Sequence, residues 1–444
     1  FGEIKYKIKY IKINKHKFTY KNQNMKKIIF LIVWIITIAY SSIWTYEHPE
    51  KIEKIKDLYK KDKKPVINIL EKKNEVNVTA NSFTVNFSNI LENNKKMKTA
   101  FVVYPKTIKE FNPSNLTIYT QSGYIWNNNK VKKINLPSYF TLQRNGGVKT
   151  IISLDKNYFA LMSGNKNDCY FASIISLKNG KEIFRTKCLP EKGKNNDFNG
   201  IGSSNIHLND SIFFSLGTPE KHISKNSPLA QNNDSMFGKI LEIKKEDLRN
   251  VINNKSNILK ITPFSKGHRV PQGLTHLNNK IFSTEHGPKG GDELNLIIKG
   301  KNYGWPTVSY GTNYLKSNGG DGKAISVNHE IKNFEEPLFS FIPSVGISAL
   351  NNCPTALKNY YKKNCLLGLS LYGNNLRKGN SLIVFLLDDN LNRVIAVEKI
   401  LLNGLVLRHF VTDEKNILYE DKKGQIYIST DKNGIYKIKF SDFR

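Results

Sequence analysis

The chain has 444 residues, with 68 Lys and Arg against 37 Asp and Glu, for a formal net charge of +31. That length admits a large core or more than one domain, and such a charge by itself suggests nucleic acid or an anionic membrane as partner. No helix-turn-helix pattern, zinc-finger spacing or RNP-type aromatic motif accompanies it, and Lys, Asn and Ile are abundant along the whole chain. The excess therefore reads as compositional bias on a solvated surface, which excludes a dedicated nucleic-acid module and leaves only contact with anionic lipid headgroups.

Residues 1–24 are basic and low in complexity, and they read as upstream translated sequence or a disordered extension, with Met25 as the start. Residues 25–45 carry Met25-Lys26-Lys27 followed by an apolar run from Ile28 to about Trp44. A basic stretch before an apolar run is the pattern of an export signal or signal anchor. No small-residue cleavage site follows, so an uncleaved membrane-anchor helix is expected, short for a span. Residues 46–75 are charged, helix-prone as far as Pro65, and read as a stalk. These features place the rest of the chain in the cell envelope, as a periplasmic or extracytoplasmic domain tethered to the inner membrane.

From about Val76 to residue 444, short apolar and aromatic runs alternate with Asn, Gly, Asp and Lys clusters, the signature of short strands and tight turns. A polar turn leading into a strand recurs at 115–120, 157–161, 210–215, 279–283, 364–368 and 424–429. Six such units predict an all-β fold, a six-bladed β-propeller with variable insertions. Ligands of such a fold bind at one end of the central channel, so site residues should be scattered in sequence and sit at loop or strand ends. The cysteines form two local pairs, Cys169 with Cys188 and Cys353 with Cys365, as expected of two disulfides in an exported protein, the other reading being four free thiols. No C-x-x-C occurs, which argues against a thiolate metal site.

The stretch from Gly267 to Tyr314 reads GHRVPQGLTHLNNKIFSTEHGPKGGDELNLIIKGKNYGWPTVSYGTNY. Gly287, Gly290 and Gly291 allow backbone conformations that turn carbonyls toward a cation. Asp292 and Glu293 are hard oxygen ligands of the kind calcium prefers, unless this loop merely closes a blade with both carboxylates solvated. Arg269 and Gln272, three apart across a proline turn, can present a cation and an amide to a flat acidic ligand.

This stretch resembles the soluble quinoprotein glucose and aldose dehydrogenases, the glucose/sorbosone dehydrogenase family, in its G-x-R-x-P-Q-G turn, its E-H-G-P-x-G-G-D-E-x-N loop and its N-Y-G-W-P and S-Y-G segments. Weaker similarity at Ser215–Gly217, Gly238–Leu241 and Phe341–Ser344 extends it from about Gly146 to the C-terminus and leaves the first blade poorly matched. The resemblance implies pyrroloquinoline quinone (PQQ) as cofactor, touched by Arg269 and Gln272. It implies calcium held by backbone carbonyls of Gly287 and Pro288, with a second calcium site at Glu293 and the backbone of Tyr303. It also implies a sugar or polyol as substrate.

Several of that family's catalytic positions are replaced here. Its general-base histidine aligns with Ile201 and the acidic neighbour with Gly200, and neither can accept a proton; the nearest histidine, His207, reads as structural. The asparagine after Arg269 is Val270, a quinone-reaching lysine aligns with Tyr372, and a late R-x-R-D motif is Val406-Leu407-Arg408-His409, which keeps only Arg408. His409 is a weak candidate for a substitute base, because strand neighbours point to opposite faces. Two functions follow as expectations: a PQQ- and calcium-dependent sugar dehydrogenase with impaired or altered catalysis, or a non-catalytic calcium-bearing propeller that binds a carbohydrate or protein partner at the cell envelope.

Overall fold

Strand-forming runs separated by Asn, Asp and Gly turns fold, in a computed structural model of the chain, into six four-stranded antiparallel blades around one axis. The structure describes residues 67–69, 75–93, 98–108, 110–192, 196–202, 204–318, 320–371, 380–402, 405–431 and 434–444. The expected anchor helix of residues 25–45 and Tyr372 lie outside the described residues. Among the described residues, no helix is long and apolar enough to cross a membrane.

Strands β1 (Ile67–Ile69), β2 (Glu75–Thr79) and β3 (Thr84–Asn93) precede the first blade. The sheet thus begins at Ile67, inside the segment expected to be stalk. Blade one holds β4 (Thr99–Val103), β5 (Thr117–Thr120), β6 (Tyr124–Asn127) and β7 (Lys130–Lys133). Blade two holds β8 (Val148–Leu154), β9 (Asn157–Lys166), β10 (Cys169–Ser176) and β11 (Glu182–Arg185). Blade three holds β12 (Asn205–Leu208), β13 (Ser211–Leu216), β14 (Lys239–Lys244) and β15 (Thr262–Lys266), with helix α1 (Lys245–Ile252) after β14. Blade four holds β16 (Val270–Leu277), β17 (Lys280–His286), β18 (Asp292–Ile297) and β19 (Phe339–Phe341). Blade five holds β20 (Ile347–Asn352), β21 (Asn364–Ser370), β22 (Ser381–Leu387) and β23 (Val394–Leu401), with α2 (Thr355–Tyr361) between its first two strands. Blade six is built from both ends of the domain: β24 (Leu407–Phe410), β25 (Ile426–Thr430) and β26 (Gly434–Ser441) are completed by β3, on which β1 and β2 also pair.

The first strand of each blade packs against the first strand of the next, β4 on β8, β12, β16, β20, β24 and back to β4. That closed circuit makes this a ring rather than an open sandwich and places the six first strands around the channel. Six apolar clusters sit one between each pair of neighbouring blades, such as Ile152, Phe159 and Leu161 against Ile212 and Phe214. Ring closure depends on a tight approach at Gly434, whose φ is 99° and where a Cβ would lie 1.6 Å from the Leu91 carbonyl oxygen. Only glycine fits that juncture of β26 with β3.

Both expected disulfides are present, Cys169–Cys188 and Cys353–Cys365, with sequence separations of 19 and 12. The first ties the start of β10 to the chain leaving β11, and the second ties the α2 entry to β21. Cross-links over loops of this size stabilise by about 3 kcal/mol each through the unfolded chain. Reduction is expected to lower unfolding stability by that order per bond, read from urea titrations with and without reductant. An unchanged midpoint would remove the disulfides from the account of stability.

Candidate functional site

The blade geometry gathers one face of the ring into a cleft of about 710 Å3 at the channel mouth. First strands start at this face and second strands end there, so the cleft is lined by strand heads and by the loops after second strands. Blade four contributes Arg269, Val270, Gln272 and His286, and blade six contributes Arg408 and Asp431. Glu220 and His222 come from the loop after β13, Asp197, Asn199 and Gly200 from the turn before β12, and Lys98 from the approach to β4. Residues far apart in sequence converge, and most are polar.

Arg269 is the hub of the cleft. Its backbone N–H donates to the Glu285 carboxylate, and its carbonyl accepts from the Thr218 backbone N–H at 2.7 Å. Its Nη1 donates to the Gly287 carbonyl at 2.8 Å, and the guanidinium sits 5.2 Å from the Trp305 ring. The Nε–H is buried without a hydrogen-bond partner among the described residues. A buried donor left unmade costs about 1–3 kcal/mol, so this one is suited to an acceptor brought by a ligand. Trp305 Nε1 donates to Glu220 at 2.8 Å, and Thr218, Ser224 and Ser227 hydroxyls also reach that carboxylate. Burial pushes the Glu220 carboxyl up, while Arg269 and these hydrogen bonds pull it back. Gln272 donates through Nε2 to the Asn199 carbonyl at 2.9 Å.

The loop joining β17 to β18 separates the residues expected to hold metal. Gly287, Glu293 and Tyr303 share a cavity of about 10 Å3 with Glu285 and Ser309, whereas Pro288 and Asp292 do not line it. Asp292 is buried, and its Oδ2 accepts from three successive backbone N–H groups, Val345 at 3.1 Å, Gly346 at 2.6 Å and Ile347 at 3.1 Å. Its Oδ1 accepts from Gly287 N at 3.2 Å. In this structure the carboxylate expected as a hard metal ligand is engaged by four backbone N–H groups. Glu293 differs: its Oε2 accepts from Asn295 Nδ2 at 3.2 Å. Burial pushes its carboxyl well up, and the like charges of Glu285, Asp292 and Glu336 add to that. The Tyr303 hydroxyl donates to the Leu296 carbonyl and accepts from Ile298 N, so it faces β18 and not the cavity. Among the described residues, no group of three or more His, Cys, Asp or Glu side chains is arranged to hold a metal.

The turn before β12 places Ile201, fully buried, in the apolar cluster between blades two and three, while Asn199 two residues earlier faces the cleft. Neither side chain accepts a proton from an alcohol. His409 is buried with Nε2 against the Thr99 carbonyl at 3.2 Å, and burial beside Arg408 lowers its pKa to about 4. It lines a chamber below the cleft rather than the cleft itself. His207 is not among the cleft-lining residues. Arg408 is in the cleft, but its guanidinium is paired side-on with Asp431, Nε to Oδ1 at 2.8 Å, so its charge is largely offset.

Two imidazoles that the sequence did not single out do line the cleft. His286, at the end of β17, is held through Nε2 by the Ile347 carbonyl. His222 packs edge-on to Tyr314, with ring centroids 5.3 Å apart, and its Nδ1 is buried without a partner among the described residues. Burial, and then the Lys221 and Arg269 charges, hold the His222 pKa below the ordinary imidazole value. A sequence signal existed: His222 follows the strand end Ser215-Leu216-Gly217, at which a propeller's site loops begin.

Residues 159–437 match the family model described as glucose / sorbosone dehydrogenase, which is more than half of the chain. The aldose sugar dehydrogenase YliI of Escherichia coli is 31% identical over 145 residues, 31% of this chain and 36% of that one. Quinoprotein glucose dehydrogenase B of Acinetobacter calcoaceticus is 53% identical over 47 residues, 10% of each. The chain thus spans well under half the length of these curated relatives. The PQQ-bound aldose sugar dehydrogenase of Streptomyces coelicolor has the same fold at 15% identity, with a TM-score of 0.50 over 84% of this chain and 100% of that one. By its matched segment, its closed ring of six blades and its motif-bearing cleft, the chain belongs to the glucose/sorbosone dehydrogenase family.

Proposed function

We propose that the protein is a PQQ- and calcium-dependent oxidoreductase acting on the CH–OH group of an aldose or related polyol, with a rearranged proton-accepting group, in an extracytoplasmic domain tethered to the membrane by residues 25–45. The observation that carries this reading is the cleft, where Arg269 and Gln272 meet a buried, unpartnered imidazole nitrogen at one channel mouth. The two disulfides support an oxidising compartment.

The residues present fit a flat, acidic cofactor. Arg269 carries an unmade Nε–H donor, Gln272 and Asn199 supply amides beside it, and Arg408 adds a guanidinium. Bound PQQ supplies the two-electron oxidant. Arg269 binds and orients it, and the Trp305 face and Glu220 keep that guanidinium in place. His222 is the neutral base of this reading: its buried Nδ1, without a partner among the described residues, is the nitrogen assigned to take a hydroxyl proton from a bound sugar. Calcium, as a Lewis acid and structural clamp, would be held at Glu293, whose carboxyl, pushed up by burial and then by its acidic neighbours, adjoins a small cavity that Glu285 and Gly287 also line. The Gly287 carbonyl accepts from Arg269 in this structure, so a cation there would compete with the guanidinium.

The Glu293 assignment has a pH signature. A carboxyl raised on folding favours the protonated form, so its contribution to stability is full at low pH and is lost as pH rises above the ordinary carboxylate value. In chelator, the thermal midpoint is expected to fall from about pH 5 to 8, less steeply for Glu293→Gln, and calcium should restore it only in the wild type. Parallel profiles for the two proteins would place any calcium elsewhere.

The second reading, a non-catalytic propeller, is favoured by Ile201 and Asn199 standing where a base is expected. Reconstitution of the ectodomain with PQQ and calcium separates the two. Cofactor absorbance together with dye reduction by an aldose supports the dehydrogenase; no uptake at micromolar PQQ rejects it.

A further inference from the structure

Below the cleft, the channel narrows to a chamber of about 40 Å3, large enough for one carboxylate group or roughly two or three waters. Asn199, Gln272, Arg408 and Lys98 line both spaces, so the chamber is continuous with the cleft floor. Lys149, near the start of β8 on blade two, also lines it. Its side chain is only 7% exposed, and its Nζ donates to the Asn145 carbonyl at 2.6 Å. No carboxylate forms an ion pair with it among the described residues. Buried lysines are normally paired, and Arg408 beside it already has Asp431. A further basic side chain without a carboxylate partner therefore faces the floor of a cleft that already carries Arg269.

We propose that Lys149 binds one carboxylate of the acidic ligand in this chamber and makes up in charge for the arginine absent at Val406. The inference rests on the PQQ reading and adds a cofactor-binding residue from a blade whose motifs pointed to none. Burial, with Lys98 and Arg408 close by and Asp197 opposing them, lowers the Lys149 pKa to about 7. His409, the remaining titratable group of the chamber, has its pKa lowered to about 4 and stays neutral near pH 8. The empty chamber is then largely spared a desolvated charge, and an incoming carboxylate draws a proton onto Nζ.

The test is calorimetric titration of PQQ into the calcium-loaded protein at about pH 8, in two buffers of different ionisation heat, for wild type and Lys149→Met. Wild type is expected to take up part of a proton on binding. The variant is expected to lose that uptake and bind about ten- to hundred-fold more weakly. Equal affinity and equal uptake in the two proteins would overturn the role of Lys149 while leaving the PQQ reading intact; no binding to wild type removes both. Should the variant not fold, amine labelling of wild type read by mass spectrometry decides the matter. Protection of Lys149 by PQQ supports the site, and labelling unchanged by PQQ overturns it.

Discussion

Replacing His222 with Gln is expected to lower kcat for aldose-dependent dye reduction by about 100- to 10,000-fold, the usual contribution of a positioned general base, while PQQ binding is retained. His222 brings the one imidazole nitrogen in the cleft that is buried and unpartnered among the described residues. His286 is committed to the Ile347 carbonyl, and His409 lies in the chamber with Nε2 on Thr99. Burial and the Lys221 and Arg269 charges depress its pKa, which favours the neutral, proton-accepting form of His222 over that of an ordinary imidazole. Activity of the wild type should therefore hold as pH falls through the ordinary imidazole value of 6.5 and decline only below it. The pH profile of kcat/KM and the PQQ absorbance titration are measured on both proteins. If His222→Gln turns over as fast as wild type, the proton goes elsewhere; if it loses PQQ as well, the ring supports the cleft rather than the reaction.

The fold was legible to an unusual degree because its repeat is local. All six turn-strand units picked out by pattern fall on the second strand of successive blades, β5, β9, β13, β17, β21 and β25. A turn entering an apolar strand is a signal carried within about ten residues, and each blade repeats it. Ring closure was not legible, because the pairing of β3 with β26 joins residues more than three hundred positions apart and leaves no local trace. The strand at Ile67–Ile69 was missed for the same reason: it exists only as an edge on β3.

The site divides along the same line. Arg269 and Gln272 were found because Gly, Pro and Gln at fixed spacing mark a turn, and the cleft does contain both. Lys149 and His222 were missed because a single inward side chain on a strand or loop looks like any other until the blades meet. Ile201 shows the limit of reading position by position. A shift of two residues in a short turn puts an isoleucine in the core and Asn199 in the cleft, though either residue leaves that position without a base.

Removal of Asp292 is expected to cost the most stability of any substitution near the cleft. An acidic side chain after two glycines suggests a hard ligand for a cation, yet this one binds the positive ends of backbone dipoles. Gly291, with φ of 70° and a Cβ position 2.4 Å from the Gly311 nitrogen, turns the chain so that the carboxylate faces blade five. There it collects the N–H groups of Val345, Gly346 and Ile347 at the head of β20, as well as Gly287 N in its own loop. Asp292→Ala strands three buried donors and the part-buried Gly287 N–H at once, for a loss of about 3–5 kcal/mol in urea unfolding. Asp292→Asn keeps one acceptor oxygen but sets an NH2 group against a donor, so it should fall between the two. The same substitution frees the carbonyls of 286–288 from their register, so PQQ affinity should drop even in buffers where the protein remains folded. A loss under about 1 kcal/mol in the alanine variant would mean that water replaces the carboxylate and that the joint between blades four and five is held by packing alone.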